Sequence, residues 1–88
     1  MQKESLTISF GTFNPCLLIL KEMGYTLSLE RVANDDGSRD TWYSAETNQV
    51  VCSTAGSVPE LLGLVVLWER FGVKWNQQVP DVLEELEP

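Results

Sequence analysis

Between Gly24 and Ser57 two clusters of turn-forming residues divide the chain into three short segments, and this punctuation constrains the fold more than any other feature. The first segment, Tyr25-Thr26-Leu27-Ser28-Leu29-Glu30, has a period of two, which places Tyr25, Leu27 and Leu29 on one face and Thr26, Ser28 and Glu30 on the other. Asn34-Asp35-Asp36-Gly37-Ser38 follows, dense in residues that accept positive φ or bond their own backbone, and reads as a hairpin loop. A second strand is expected from Thr41 to Ala45. Glu46-Thr47-Asn48-Gln49 turns the chain again, and the β-branched run Val50-Val51-Cys52-Ser53 supplies a third. The expectation is a three-stranded antiparallel meander.

Helices flank it. Asn14-Pro15 reads as a helix start, with Asn14 as cap and Pro15 at the first helical position, and Cys16, Leu17, Leu20 and Met23 recur at helical spacing until Gly24. Ahead of it, Leu6-Thr7-Ile8-Ser9-Phe10 alternates apolar and polar and suggests an edge strand, placed at either edge of the meander or paired with a second chain. After the meander, Ser57-Val58-Pro59-Glu60 fits a capping box that opens a helix running to Phe71 and ended by Gly72. Residues 76–88 form an acidic tail, in which Val79-Pro80-Asp81 suits the start of a short helix carrying Val82, Leu83 and Leu86. The whole is an α+β arrangement: one meander, with an added N-terminal strand as an option, covered on one face by two helices.

Eighty-eight residues leave room for one hydrophobic core, so residues 1–88 are expected to form a single domain. Its stability should be about 5 to 10 kcal/mol. With 43% hydrophobic and 22% charged residues the chain has an ordinary globular composition. No apolar run reaches the roughly 20 residues that span a bilayer. The start, Met1-Gln2-Lys3-Glu4-Ser5, is polar with no apolar stretch of the export type behind it, so a cytoplasmic location is expected. Cys16 and Cys52 lack the spacing of a redox pair or half a zinc site and read as free thiols.

Thirteen acidic against six basic side chains give a formal charge of −7. Such a field repels phosphate backbones and disfavours direct nucleic-acid binding, while it attracts a basic protein. Helix, three strands and helix is also the element order of double-stranded RNA-binding domains. Those domains meet phosphates with lysines at the start of the second helix, where this chain has Ser57-Val58-Pro59-Glu60, so the likeness is one of element order only.

Histidine is absent, which removes the commonest general base, the usual activator of a serine or cysteine nucleophile and the commonest metal ligand. The acidic loop invites comparison with a calcium loop, but its glycine stands fourth from Asn34 and the twelfth position is Ala45 instead of glutamate. No catalytic residue, cofactor or metal site is expected.

What remains is recognition. At about 100° per residue, Leu61, Leu64, Val65, Trp68 and Phe71 form a broad apolar face suited to the sheet, while Leu62 and Val66 point away beside Gly63, Glu69 and Arg70. Three covers are open for that stripe: another part of the same chain, a second copy, or a different protein. Trp42 and Tyr43 are strand neighbours and must face opposite ways, and Trp75 adds a large side chain past the helix. The candidate interaction surface is therefore Leu62, Val66, Glu69, Arg70, Trp42, Tyr43 and Trp75. The functional expectation is a small acidic non-catalytic module of prokaryotic or phage type, an inhibitor, immunity factor or antitoxin-like partner that occludes a basic protein. The alternative is a homodimeric structural or regulatory domain joined through Leu62 and Val66.

Overall fold

The computed structural model describes residues 3–76 and 82–86, and its elements run α-β-β-β-α with short helical pieces after them. Helix α1 spans Phe10–Glu22, strands β1, β2 and β3 span Thr26–Ala33, Arg39–Glu46 and Val51–Ala55, and helix α2 spans Val58–Phe71. A single 3₁₀ turn, Gly72–Lys74, and the short helix α3, Val82–Leu86, complete the described chain. This is the α+β meander with two helices that the punctuation implies. The expected opening of the tail helix at Val79-Pro80-Asp81 lies outside the described residues.

The sheet order is β1-β2-β3, antiparallel throughout. Its register aligns Leu27 with Ala45 and Ala45 with Cys52, so these three side chains form one row on one face. Both helices lie over that face: α2 packs on β2 and β3, and α1 packs on β1 and along α2. Leu20 from α1, Tyr25, Ala45 and Cys52 from the sheet side, and Leu61 and Val65 from α2 close the core, with Leu27, Tyr43, Val50 and Leu62 packed around it. Cys52 is a free thiol in that core, and burial pushes its pKa up.

The N-terminal segment departs from its alternating pattern. Leu6 to Phe10 do not form a strand: residues 3–7 have no regular structure, and Phe10 is already helical. Helix α1 starts five residues earlier than Pro15 because Ser9 and Thr12 provide a start signal of their own, in which the Ser9 N–H donates to Thr12 Oγ1 at 3.1 Å and Thr12 Oγ1 donates to the Ser9 carbonyl at 2.7 Å. Pro15 therefore sits inside the helix, where it forgoes the bond to the Gly11 carbonyl, and Asn14 is not the cap. At the other end Gly24 takes φ +93°, and the Tyr25 N–H reaches the Leu20 carbonyl at 3.1 Å, the wrapped C-terminus that glycine permits.

Helix α2 begins as read, with Ser57 accepting from the Glu60 N–H at 3.4 Å, but the Glu60 carboxylate accepts from Thr54 Oγ1 at 3.1 Å instead of reaching back to Ser57. Its buried face is rotated from the expected one. Val58, Leu61 and Val65 are fully buried and Leu62 packs on the core, whereas Leu64 and Phe71 are exposed. The physical reason is α1. A helix lying against α2 as well as the sheet moves the centre of the buried stripe toward α1, about 50° round from Leu61 at roughly 100° per residue. Leu62 then turns inward.

Candidate functional site

The sequence-derived surface separates into several places. Leu62 is half-buried against the core cluster, on a helix that packs along α1, so the same chain covers it in part. Val66 stays 53% exposed, but without Leu62 it is no stripe. Gly63 has open space around it and no close approach by another segment. Arg70 is exposed, with its guanidinium carbon 5.8 Å from the centroid of its neighbour Phe71. Tyr43 points inward and meets Phe13 edge-on at 5.9 Å between ring centroids, and Trp42 points to the opposite side.

Glu69 is engaged within the chain. It lies on the continuation of the buried stripe of α2, one turn beyond Val65, and there its Oε1 accepts from the Tyr25 hydroxyl at 2.7 Å. Burial first, and then the hydrogen bond and charge of Glu69, push the Tyr25 pKa up to about 12 from 10.0. Since the folded protein holds this proton more tightly than the unfolded chain, the interaction stabilises fully below pH 10.0 and its contribution fades as pH rises toward about 12. Spectrophotometric titration at the tyrosinate band is expected to show one of the two tyrosines ionising late, and Tyr25→Phe is expected to remove that late step.

The loop carboxylates are likewise tied locally. Asp36 Oδ1 accepts from the Ser38 N–H at 2.9 Å and from Ser38 Oγ at 2.6 Å, which lowers its pKa, and Asp40 Oδ2 accepts from Asn34 Nδ2 at 3.1 Å. These bonds shape a hairpin.

The surface with the most distinctive composition is the face of the sheet that no helix covers among the described residues. Register and alternation place Thr26, Ser28, Glu30 and Val32 of β1, Asp40, Trp42, Ser44 and Glu46 of β2, and Val51, Ser53 and Ala55 of β3 on that side. Three carboxylates stand on it and no basic residue does. Trp42 lies at its middle, 39% exposed, directly opposite Glu30 on one side and the small Ala55 on the other, with Asp40 and Ser44 two residues away along its own strand. Ser28, Ser44 and Ser53 form one cross-strand row beside it, and Ser44 and Ser53 hydrogen-bond at 2.9 Å. An uncovered face of this kind offers a large aromatic, short hydroxyls and negative charge. It suits an arginine or lysine, which an indole face and a carboxylate attract together.

Trp75 belongs elsewhere, 52% exposed, in a groove of about 250 Å³ between the free edge of β3 and α2, with Leu64, Leu67 and Trp68 along the helix side. Sequence reasoning found Trp42 but missed Glu30, Asp40 and Glu46 as its companions. The signal was the pairing register, which a single sequence leaves open. Among the described residues no helix is long and apolar enough to cross a membrane. No protein-family model matches this chain, and no curated protein and no solved structure matches it significantly.

Proposed function

We propose that this chain is a small acidic, non-catalytic protein-interaction module whose uncovered sheet face receives a basic surface of another protein, in the manner of an inhibitor or immunity factor. The observation that carries the reading is the composition of that face: Trp42 exposed beside Glu30 and Asp40, with Glu46 along the same strand, and no cation among its residues. A formal charge of −7 on 88 residues extends the same sign around the molecule, which raises the encounter rate with a positive partner. Carboxylates at the margins steer, and a desolvated tryptophan at the centre holds.

Occlusion by such a face needs no nucleophile, base or metal. An inhibitor of this type succeeds by covering a positive site with a surface of matching shape and opposite charge. The test is affinity capture from native lysate with the parent chain beside Glu30→Gln, Asp40→Asn, Glu46→Gln as a folded control, followed by binding of each purified captured protein to both. Basic proteins that bind the parent and lose affinity for the triple variant support the reading. Captured proteins that bind both chains equally refute it.

A further inference from the structure

The two layers of this fold differ in width. Two packed helices, each about 10 Å across, cover about 20 Å. Three strands about 4.8 Å apart supply only about 15 Å of sheet beneath them. The difference is one strand, and the groove where a strand is lacking is in place: it runs along the free edge of β3, under Leu64, Leu67 and Trp68 of α2, with Trp75 at its side.

That edge is ready to pair. Thr47 N–H donates to the Val50 carbonyl at 2.9 Å and Gly56 N–H donates to the Thr41 carbonyl at 3.2 Å, so the even-numbered positions of this strand point toward β2. Alternation then turns the N–H and C=O groups of Val51, Ser53 and Ala55 outward. Val50-Val51-Cys52-Ser53-Thr54-Ala55 carries no charge and no proline, the usual guards of an open edge, whereas β1 at the other edge carries Glu30 and Arg31.

The chain also holds a strand-like segment without a sheet. Ser5-Thr7-Ser9 alternates with Leu6 and Ile8, it is uncharged, and Leu6 is 85% and Ile8 63% exposed. In its own chain this arm borders an open groove whose far walls are Pro15, Cys16 and Ile19 of α1 and Pro59 of α2, and no β3 residue lines that groove. Its departure from α1 is fixed by the bonds between Ser9 and Thr12. We infer that the groove beside β3 receives the N-terminal arm of a second copy, with residues 5–9 added as a fourth strand, Leu6 and Ile8 under α2, and Ser5, Thr7 and Ser9 on the open face beside Ser53.

Charge agrees with that occupant. Two copies at −7 repel each other, and they meet here through segments that carry none of that charge. Self-association should therefore strengthen as salt is raised, opposite to the binding of a basic partner on the sheet face.

Sedimentation velocity with amide hydrogen exchange tests this on the full chain. The expected result is a species of twice 9.9 kDa in which the Val51, Ser53 and Ala55 amides are protected. Leu6→Asp, Ile8→Asp should be monomeric, and so should Ser53→Pro, with Val51→Lys as the edge variant if the proline unfolds the chain. An equal mixture of arm and edge variants should recover a two-chain species, because one chain keeps its edge and the other its arm. A monomer with unprotected edge amides overturns the inference. So does a monomer with protected ones, which places the chain's own arm in the groove, and so does a dimer lost in the edge variant but kept in the arm variant, which means β3 pairs with β3.

Discussion

Leu61→Ala is expected to lower the stability by about 3 kcal/mol, a large part of the 5 to 10 kcal/mol available to a domain of this size. Leu61 is fully buried, and it is packed with Leu20, Val65, Ala45 and Cys52 in a core closed by only a few residues of each element. Removing three carbons there loses their transfer energy and leaves a space that the surrounding strands and helices fill only in part. The urea midpoint should fall by roughly 30 to 60%, with the slope of the transition unchanged. Leu64→Ala, one turn on the other side of the same helix and already exposed, should move the midpoint by only a fraction of that. Equal effects at the two positions would place the buried face of α2 where periodicity alone puts it, centred between Leu61 and Trp68, and would contradict the packing described here.

The second large effect concerns association. Glu30→Gln, Asp40→Asn, Glu46→Gln takes the formal charge from −7 to −4 and leaves the open face neutral. For a basic partner the association rate at low salt is expected to fall by about 10-fold or more, while the dissociation rate changes little, since charges at the margin of an interface act mainly on encounter. Trp42→Ala should do the reverse. A central aromatic contributes through desolvated contact, so its loss should raise the dissociation rate by about 10-fold or more and leave the salt dependence of association in place. Stopped-flow or surface-binding kinetics at 50 and 300 mM salt separate the two.

Much of this fold is legible in the residues. Gly24, the Asn34 to Ser38 loop and the Ser57 cap mark where elements end, and the period of two from Tyr25 to Glu30 places Tyr25 and Leu27 at the core, while Leu29 on the same side stays 52% exposed. Failures occur where a local pattern competes with a non-local one. Leu6 to Phe10 alternates like a strand, yet a strand needs a neighbour, and the Ser9 and Thr12 bonds supply a helix start from within the segment itself. The face of α2 is misplaced by about one side-chain position because hydrophobic spacing identifies an apolar stripe but not the second helix that bends its centre toward Leu62. The adjacency of Trp42 and Tyr43 shows that one of the two faces outward but not which, and the structure turns Tyr43 inward. The setting of Trp42 among Glu30, Asp40 and Ser44 depends on register, which turn lengths and cross-strand packing determine together.

Whether the uncovered sheet face receives a basic protein is decided by amide-shift mapping. A purified basic partner obtained by capture would be titrated into the isotopically labelled chain, with the Trp42 indole N–H followed beside the backbone. The largest shifts are expected on Glu30, Asp40, Trp42, Ser44 and Ser53, with the buried side of the sheet and the outer surfaces of both helices staying still. Shifts concentrated on Val66, Arg70 and the exposed side of α1, with Trp42 unmoved, would contradict it and move the binding surface to the helices.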